Sequence, residues 1–222
     1  HVDHLGMAPW LPSNYNTKLH GTKLTSEISR MMWNDCYKIS SIEKYPLPWD
    51  KRDIDIAMES WVTHEFNETW NQDDWQLTLS NAGHIPGAGM LNVATESKNI
   101  LFTGDFDTRN SPLTTGAKPI KSDVLFIEGT YGGRNHADQQ EELKRFIENV
   151  VRVTDKGGTV LIPAFANGRT QDMLMRLHQN CPELDVHVDG MGKRISKLYL
   201  ENSQFIRDPK ALNDAWNWSR RV

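Results

Sequence analysis

Cysteine is scarce in this chain: there are 2 in 222 residues, Cys36 and Cys181, far apart and in no CxxC. That excludes a disulfide-stapled scaffold and a cysteine-built zinc finger, and it suits a reducing compartment. No apolar run approaches the ~18 residues of a membrane helix. The opening His1-Val2-Asp3-His4 has neither the basic nor the apolar region of a secretion signal. A strong basic excess is also missing, since 25 Lys and Arg stand against 29 Asp and Glu for a formal charge of −4. Internal repeats and low-complexity segments are absent. What is present is ordinary for a globular protein, with 38% hydrophobic and 24% charged residues.

Charge is unevenly spread. Residues 1–132 carry 11 basic and 17 acidic side chains, and residues 133–222 carry 14 and 12. This would suit a metal-bearing part joined to an anion-contacting part, and it equally fits drift between two solvated surfaces. The rhythm of the chain changes as well. Helical spacing of Leu24, Ile28, Met31, Met32, Cys36 and Ile39 predicts a helix to Glu43, with Thr25 or Ser26 as N-cap. A second helix is expected over Asp53–Trp61. Strands are expected at Gln76–Asn81, Met90–Ala94, Asn99–Thr103 and Asp123–Ile127, the last apolar throughout and so buried on both faces. After Tyr131-Gly132-Gly133 the pattern becomes βα. It runs from a helix near Asp138–Val153 to a buried strand Thr159–Phe165, a helix Gly168–Gln179, a strand Asp185–Val188 and a helix Lys193–Glu201. Such alternation implies a parallel sheet. The boundary is placed between residues 132 and 133.

Three short segments carry metal-ligand chemistry. His1, Asp3 and His4 lie within four residues, and imidazole with carboxylate suits Zn²⁺. His84 follows an expected strand in a glycine-containing loop, and Asp105 follows another in Thr103-Gly104-Asp105. Loops at strand ends are where scaffolds present ligands. Each segment alone also reads as a polar turn, a loop histidine or a turn-forming Asp. Their conjunction is much less expected by chance.

These segments resemble a known family. HVDHLG, SNAGHIPGAGM and LFTGDFD resemble motifs two, three and four of the metallo-β-lactamase fold. DVLFIEGTYGG resembles motif A of its nucleic-acid-processing β-CASP branch, and GGTVLIPAFANGRTQDML the strand and helix that follow. AGHIPGAGM is most similar to the cleavage-and-polyadenylation-factor nuclease subunit and its archaeal relatives.

The resemblance implies an α/β fold. A metallo-β-lactamase αββα sandwich, incomplete at its N-terminus, would occupy residues 1–132, and the start of a parallel βα β-CASP domain residues 133–222. His1 and His84 would bind a first zinc, Asp3 and His4 a second, and Asp105 would bridge them. Glu128 would orient a catalytic histidine, so Asp3, Asp105 and Glu128 are the implied catalytic residues. The family pattern HxHxDH places another histidine before His1, and motifs B and C would lie after Val222. We therefore read the chain as an internal piece, weak in metal binding and inactive alone. The implied activity is two-zinc hydrolysis of RNA phosphodiesters, endonucleolytic with 5′→3′ exonuclease activity as a further mode. The implied substrate is single-stranded RNA, and a second copy or RNA-processing subunits are the candidate partners. An intracellular site is expected, cytoplasmic in a prokaryote and nuclear in a eukaryote. Rival readings are a thioester or lactone hydrolase on the same scaffold and a non-catalytic subunit.

Other features have two readings each. Arg169 at a helix start, and Lys193 and Arg194 on a later helix, could contact an RNA backbone or form packed and solvated surface. Trp33, Trp49, Trp61, Trp70 and Trp75 could stack bases or pack a core. His64-Glu65 lacks the second histidine of HExxH, and His20, His136, His178 and His187 show no partner pattern.

Overall fold

The computed structural model describes all 222 residues and is α/β with a mixed sheet. The chain forms two compact units, residues 1–109 with 115–126, and residues 110–114 with 127–222. No helix is long and apolar enough to cross a membrane.

The first unit opens with two short helices, α1 (Val2–Leu5) and α2 (Trp10–Tyr15), then strand β1 (Leu19–Gly21). Helix α3 (Lys23–Glu43) follows, capped by Thr22, whose hydroxyl accepts from the Thr25 N–H. The expected cap at Thr25 or Ser26 is thus corrected: Thr22 has the extended backbone a cap requires, and Thr25 already lies in the first turn. Helix α4 (Lys51–Glu59) begins earlier than expected because Asp50 and Asp53 form a reciprocal capping box. Strand β2 (Trp61–Thr63) returns parallel to β1. Ala8, Trp33, Trp49, Ile54 and Ala57 form the core between these elements.

Five strands make the main sheet: β3 (Thr69–Gln72), β4 (Trp75–Asn81), β5 (Gly89–Ala94), β6 (Asn99–Phe102) and β7 (Val124–Phe126), in that spatial order. β3 to β6 pair antiparallel, and β7 joins β6 in parallel. Two antiparallel steps make β4 and β6 run the same way, so their C-terminal ends open at one edge of the sheet. Ala82, Met90, Leu101 and Ala117 form a small core under that edge. The expectation that Asp123–Ile127 is buried on both faces is corrected. β7 is the terminal strand of the sheet, and Leu125, Phe126 and Ile127 are 50%, 55% and 56% exposed.

In the second unit, α5 (Gln139–Thr154) is capped by Asp138, α6 (Arg169–Asn180) follows Gly168, and α7 (Gly192–Glu201) follows the short strand β8 (His187–Val188). Helix α8 (Pro209–Trp218) and strand β9 (Arg220–Arg221) complete it. Leu174, Leu177, Ile195, Tyr199, Leu212 and Trp216 fill its core. The fully buried Gln171 amide stitches it together, accepting from the Gly168 N–H and reaching the Ser196 hydroxyl at 2.9 Å. Burial pushes the Tyr199 phenol far above its ordinary range, and its hydroxyl donates to Asn167 Oδ1. The expected buried strand Thr159–Phe165 does not form. The segment joins no ladder, and Leu161 and Phe165 are 91% and 84% exposed. Parallel pairing here is confined to two residues each of β8 and β9. Apolar content alone does not make a strand where no neighbour supplies the ladder.

Candidate metal centre

Sheet geometry brings two loops together. The loop after β4 carries His84 and the loop after β6 carries Asp105, both at the same sheet edge. The first loop is shaped by Asn81, whose side chain accepts from the Gly83 N–H and donates to the Thr115 carbonyl. Gly83 has φ +70°, and a Cβ there would lie 2.2 Å from the Asp107 carbonyl oxygen, so only glycine fits. A backbone bond from the Asp107 N–H to the Ala82 carbonyl then ties the loops, and the Asp107 carbonyl accepts from the Ala117 N–H further along the second loop.

The third contribution comes from α1. His1 stands at the N-cap position of this helix without a side-chain capping bond, and His4 lies in its only turn. A helix this short has little stability of its own. Two buried indoles moor it, Trp33 donating to the Leu5 carbonyl and Trp49 to the Gly6 carbonyl, both at 2.8 Å. Of the two readings open for these tryptophans, core packing holds: both are buried, and their polar edges hold the histidine-bearing turn.

The side chains converge on Asp105. Its Oδ2 lies 2.9 Å from His1 Nε2 and 3.7 Å from His84 Nε2. Its Oδ1 lies 3.2 Å from His4 Nε2. Ligand atoms of His1, His84 and Asp105 all fall within 4.8 Å of one another. Ligands sharing one tetrahedral Zn²⁺ stand roughly 3.3 Å apart at usual bond lengths, so this donor set fits a metal ion. The site is also open, with the side chains of His1, His4, His84 and Asp105 between 20% and 48% exposed. Asp3 lies outside the convergence. Its carboxylate is 83% exposed and approaches the other ring nitrogen of His1, Nδ1, at 3.6 Å.

The remaining site candidates belong to the second unit. Glu128 is half-buried just after β7. Exposed Arg169 stands 3.8 Å from Asp172, whose carboxylate is held at 2.9 Å by Arg176. Lys193 donates to Asp189 and to the Val222 carbonyl, and Arg194 is exposed. Lys193 and a backbone N–H also hold the Asp189 carboxyl below its ordinary range.

A second histidine cluster went unrecognised in the sequence. His20 Nδ1 and His64 Nε2 lie 2.9 Å apart, and Trp70 stacks on His64 with ring centroids 3.7 Å apart. His20 therefore has a partner after all. Neither ring follows a motif, since the pair is made by β1 lying beside β2.

No family model matches the chain. The chain is 32% identical over 98% of its length to RNase aCSPSF2 of Saccharolobus solfataricus, covering 44% of that protein. It is 33% identical over 81% of its length to cleavage and polyadenylation specificity factor subunit 3 of Dictyostelium discoideum, covering 24% of it. It is 31% identical over 93% of its length to transcription termination factor FttA of Methanothermobacter thermautotrophicus, covering 34% of it. The chain thus spans less than half of each of these relatives.

Proposed function

Since the chain belongs to one family with these archaeal RNases and polyadenylation-factor subunits, the β-CASP nucleases, we propose that the whole protein hydrolyses RNA phosphodiester bonds at a two-zinc centre. We assign residues 1–132 to a metallo-β-lactamase domain and 133–222 to a β-CASP domain. The observation that carries the reading is Asp105. One of its oxygens faces His1 and His84 and the other faces His4, which is the disposition of a bridging carboxylate.

In this reading His1, His84 and Asp105 would hold one ion, and His4 and Asp105 would contribute to the other, with Asp3 as the further ligand the family pattern names. Bound there, two zinc ions supply a water acidic enough to attack at neutral pH and neutralise charge on the phosphate. The residues themselves supply orientation. As placed, the Asp3 carboxylate stands 3.6 Å from Nδ1 of His1, the ring whose Nε2 faces Asp105. Solvent-open histidines leave room for a polymer strand at the site. Glu128 would steer a histidine acting on the leaving oxygen, and Arg169, Lys193 and Arg194 would contact phosphates. Work within an RNA-processing complex follows from the relatives named as subunits.

The test is cleavage of end-labelled single-stranded RNA by the whole protein with zinc, beside Asp105→Ala. Internal cuts or stepwise 5′ trimming that vanish in the variant support the reading and reveal the mode. Two bound zincs without cleavage would favour a small-molecule hydrolase. Neither zinc nor cleavage would favour a non-catalytic subunit.

A further inference from the structure

We propose that Thr22 and Thr25, at the start of α3, form a hydroxyl clamp that positions His84 for metal binding, a role that rests on the reading of His84 as a ligand. The His84 loop is tied before the histidine to the Asp105 loop, through Ala82 and Asp107. Beyond the histidine, Ile85-Pro86-Gly87 leads to a carbonyl that receives two side-chain bonds. The hydroxyls of Thr22 and Thr25 each lie 3.0 Å from the Gly87 oxygen. Thr22 is 1% exposed, so this contact is shielded from competing water.

The local chemistry is arranged for close approach. Gly87 has φ +83°, and a Cβ on it would come within 3.0 Å of Thr22 Oγ1 and 3.3 Å of both Leu24 Cβ and Thr25 Oγ1. Glycine therefore lets the loop lie against the helix start. Each threonine has one hydroxyl proton. Thr25 directs its proton to Gly87, while that of Thr22 lies between Gly87 and Thr25 Oγ1, 2.9 Å away. Thr22 Oγ1 meanwhile accepts from the Thr25 N–H as the helix cap. One pair of side chains thus starts α3 and fixes the loop. The same helix moors α1 through Trp33. Helix α3 in this way sets the spacing between His84 and His1, whose Nε2 atoms meet the same oxygen of Asp105.

The two threonines are positioning residues, and Thr25 gives the cleaner test because its replacement leaves the cap acceptor in place. Cobalt(II) would be titrated into the metal-free whole protein and followed by its visible d–d absorption. The set is wild type, Thr25→Val, Thr25→Ser, Thr22→Val/Thr25→Val and His84→Ala. Loss of groups that orient ligands typically costs 10–100-fold in metal affinity. We expect Thr25→Val to weaken cobalt binding about 3–10-fold and the double variant by about 10-fold or more. Both spectra should shift towards that of His84→Ala. Thr25→Ser should restore wild-type affinity and spectrum, and the melting temperature of metal-free Thr25→Val should stay close to wild type. Wild-type cobalt affinity and spectrum in Thr25→Val, with His84→Ala impaired, would overturn the clamp. Unchanged binding in His84→Ala would overturn the ligand assignment instead. Should the double variant fail to fold, the Thr25 pair alone decides.

Discussion

The first unit holds two histidine clusters made from the same side chain and set in opposite surroundings. His1, His4 and His84 surround a carboxylate, and their rings stay partly open to water. His20 and His64 face each other across 2.9 Å under the indole of Trp70, with His64 only 5% exposed. In the first cluster three ring nitrogens converge on one carboxylate, a donor set that a metal ion could share. In the second, a donor nitrogen of one ring meets an acceptor nitrogen of the other, while the buried Nδ1 of His64 has no hydrogen-bond partner. The nearest carboxylate, on Glu68, stands 3.9 Å from His64 Nδ1 on the far side of the ring. A central carboxylate and solvent access set the first cluster apart from the second.

That contrast can be broken most sharply at Asp105. Asp105→Asn keeps the shape and removes the charge, and RNA cleavage by the whole protein should fall on the order of 10³-fold or more. Zinc content by atomic emission should drop with it. The counterpart is His64→Ala. It removes a buried stacked ring and a hydrogen bond, and should lower stability by about 2–3 kcal/mol in chemical denaturation. Zinc content should be unaltered. If zinc fell with His64, the division between the clusters would collapse.

A smaller effect is expected at the mooring of α1. Trp33→Phe leaves the Leu5 carbonyl without its indole donor, a loss of about 1–2 kcal/mol. Zinc binding should weaken with it, since His4 immediately precedes Leu5 and His1 lies one turn before it. Normal zinc affinity in this variant would show that the metal itself organises the turn.

The smallest effect is on pH. Burial first, then His64 and Lys18, hold His20 below its ordinary range. The unfolded chain then binds a proton more readily than the folded one below about pH 6.5. Stability from this group is complete above that pH and declines as the pH falls towards the lowered folded value. Thermal melting between pH 7.5 and 5 should show the decline, and it should shrink in His20→Gln. An equal decline in that variant would assign the effect to other groups.

Much of the first unit could be read along the chain. A period-two run marked β4, and short apolar runs marked β5 and β6, nearly to the residue. α8 carried a legible start, with Asp208 as cap and Pro209 at the first helical position, that went unread. β1 and β2 were not legible, since three residues are too few to show a period. Leu125 and Leu161 misled in the other direction. Their runs have the composition of buried strands, yet burial depends on which neighbour lies alongside.

What the sequence determined by itself was the inventory of ligand-bearing segments and the turn residues that make them possible, such as Gly83 and Asn81. These are local properties, set by φ, by side-chain reach and by donor chemistry within a few residues. Only the tertiary structure decided which oxygen of Asp105 faces which histidine, that Thr22 and Thr25 grip Gly87, and that His20 finds His64. Those meetings join residues 21 to 104 positions apart, and they follow from strand direction, register and helix docking. No short window of the chain contains that information.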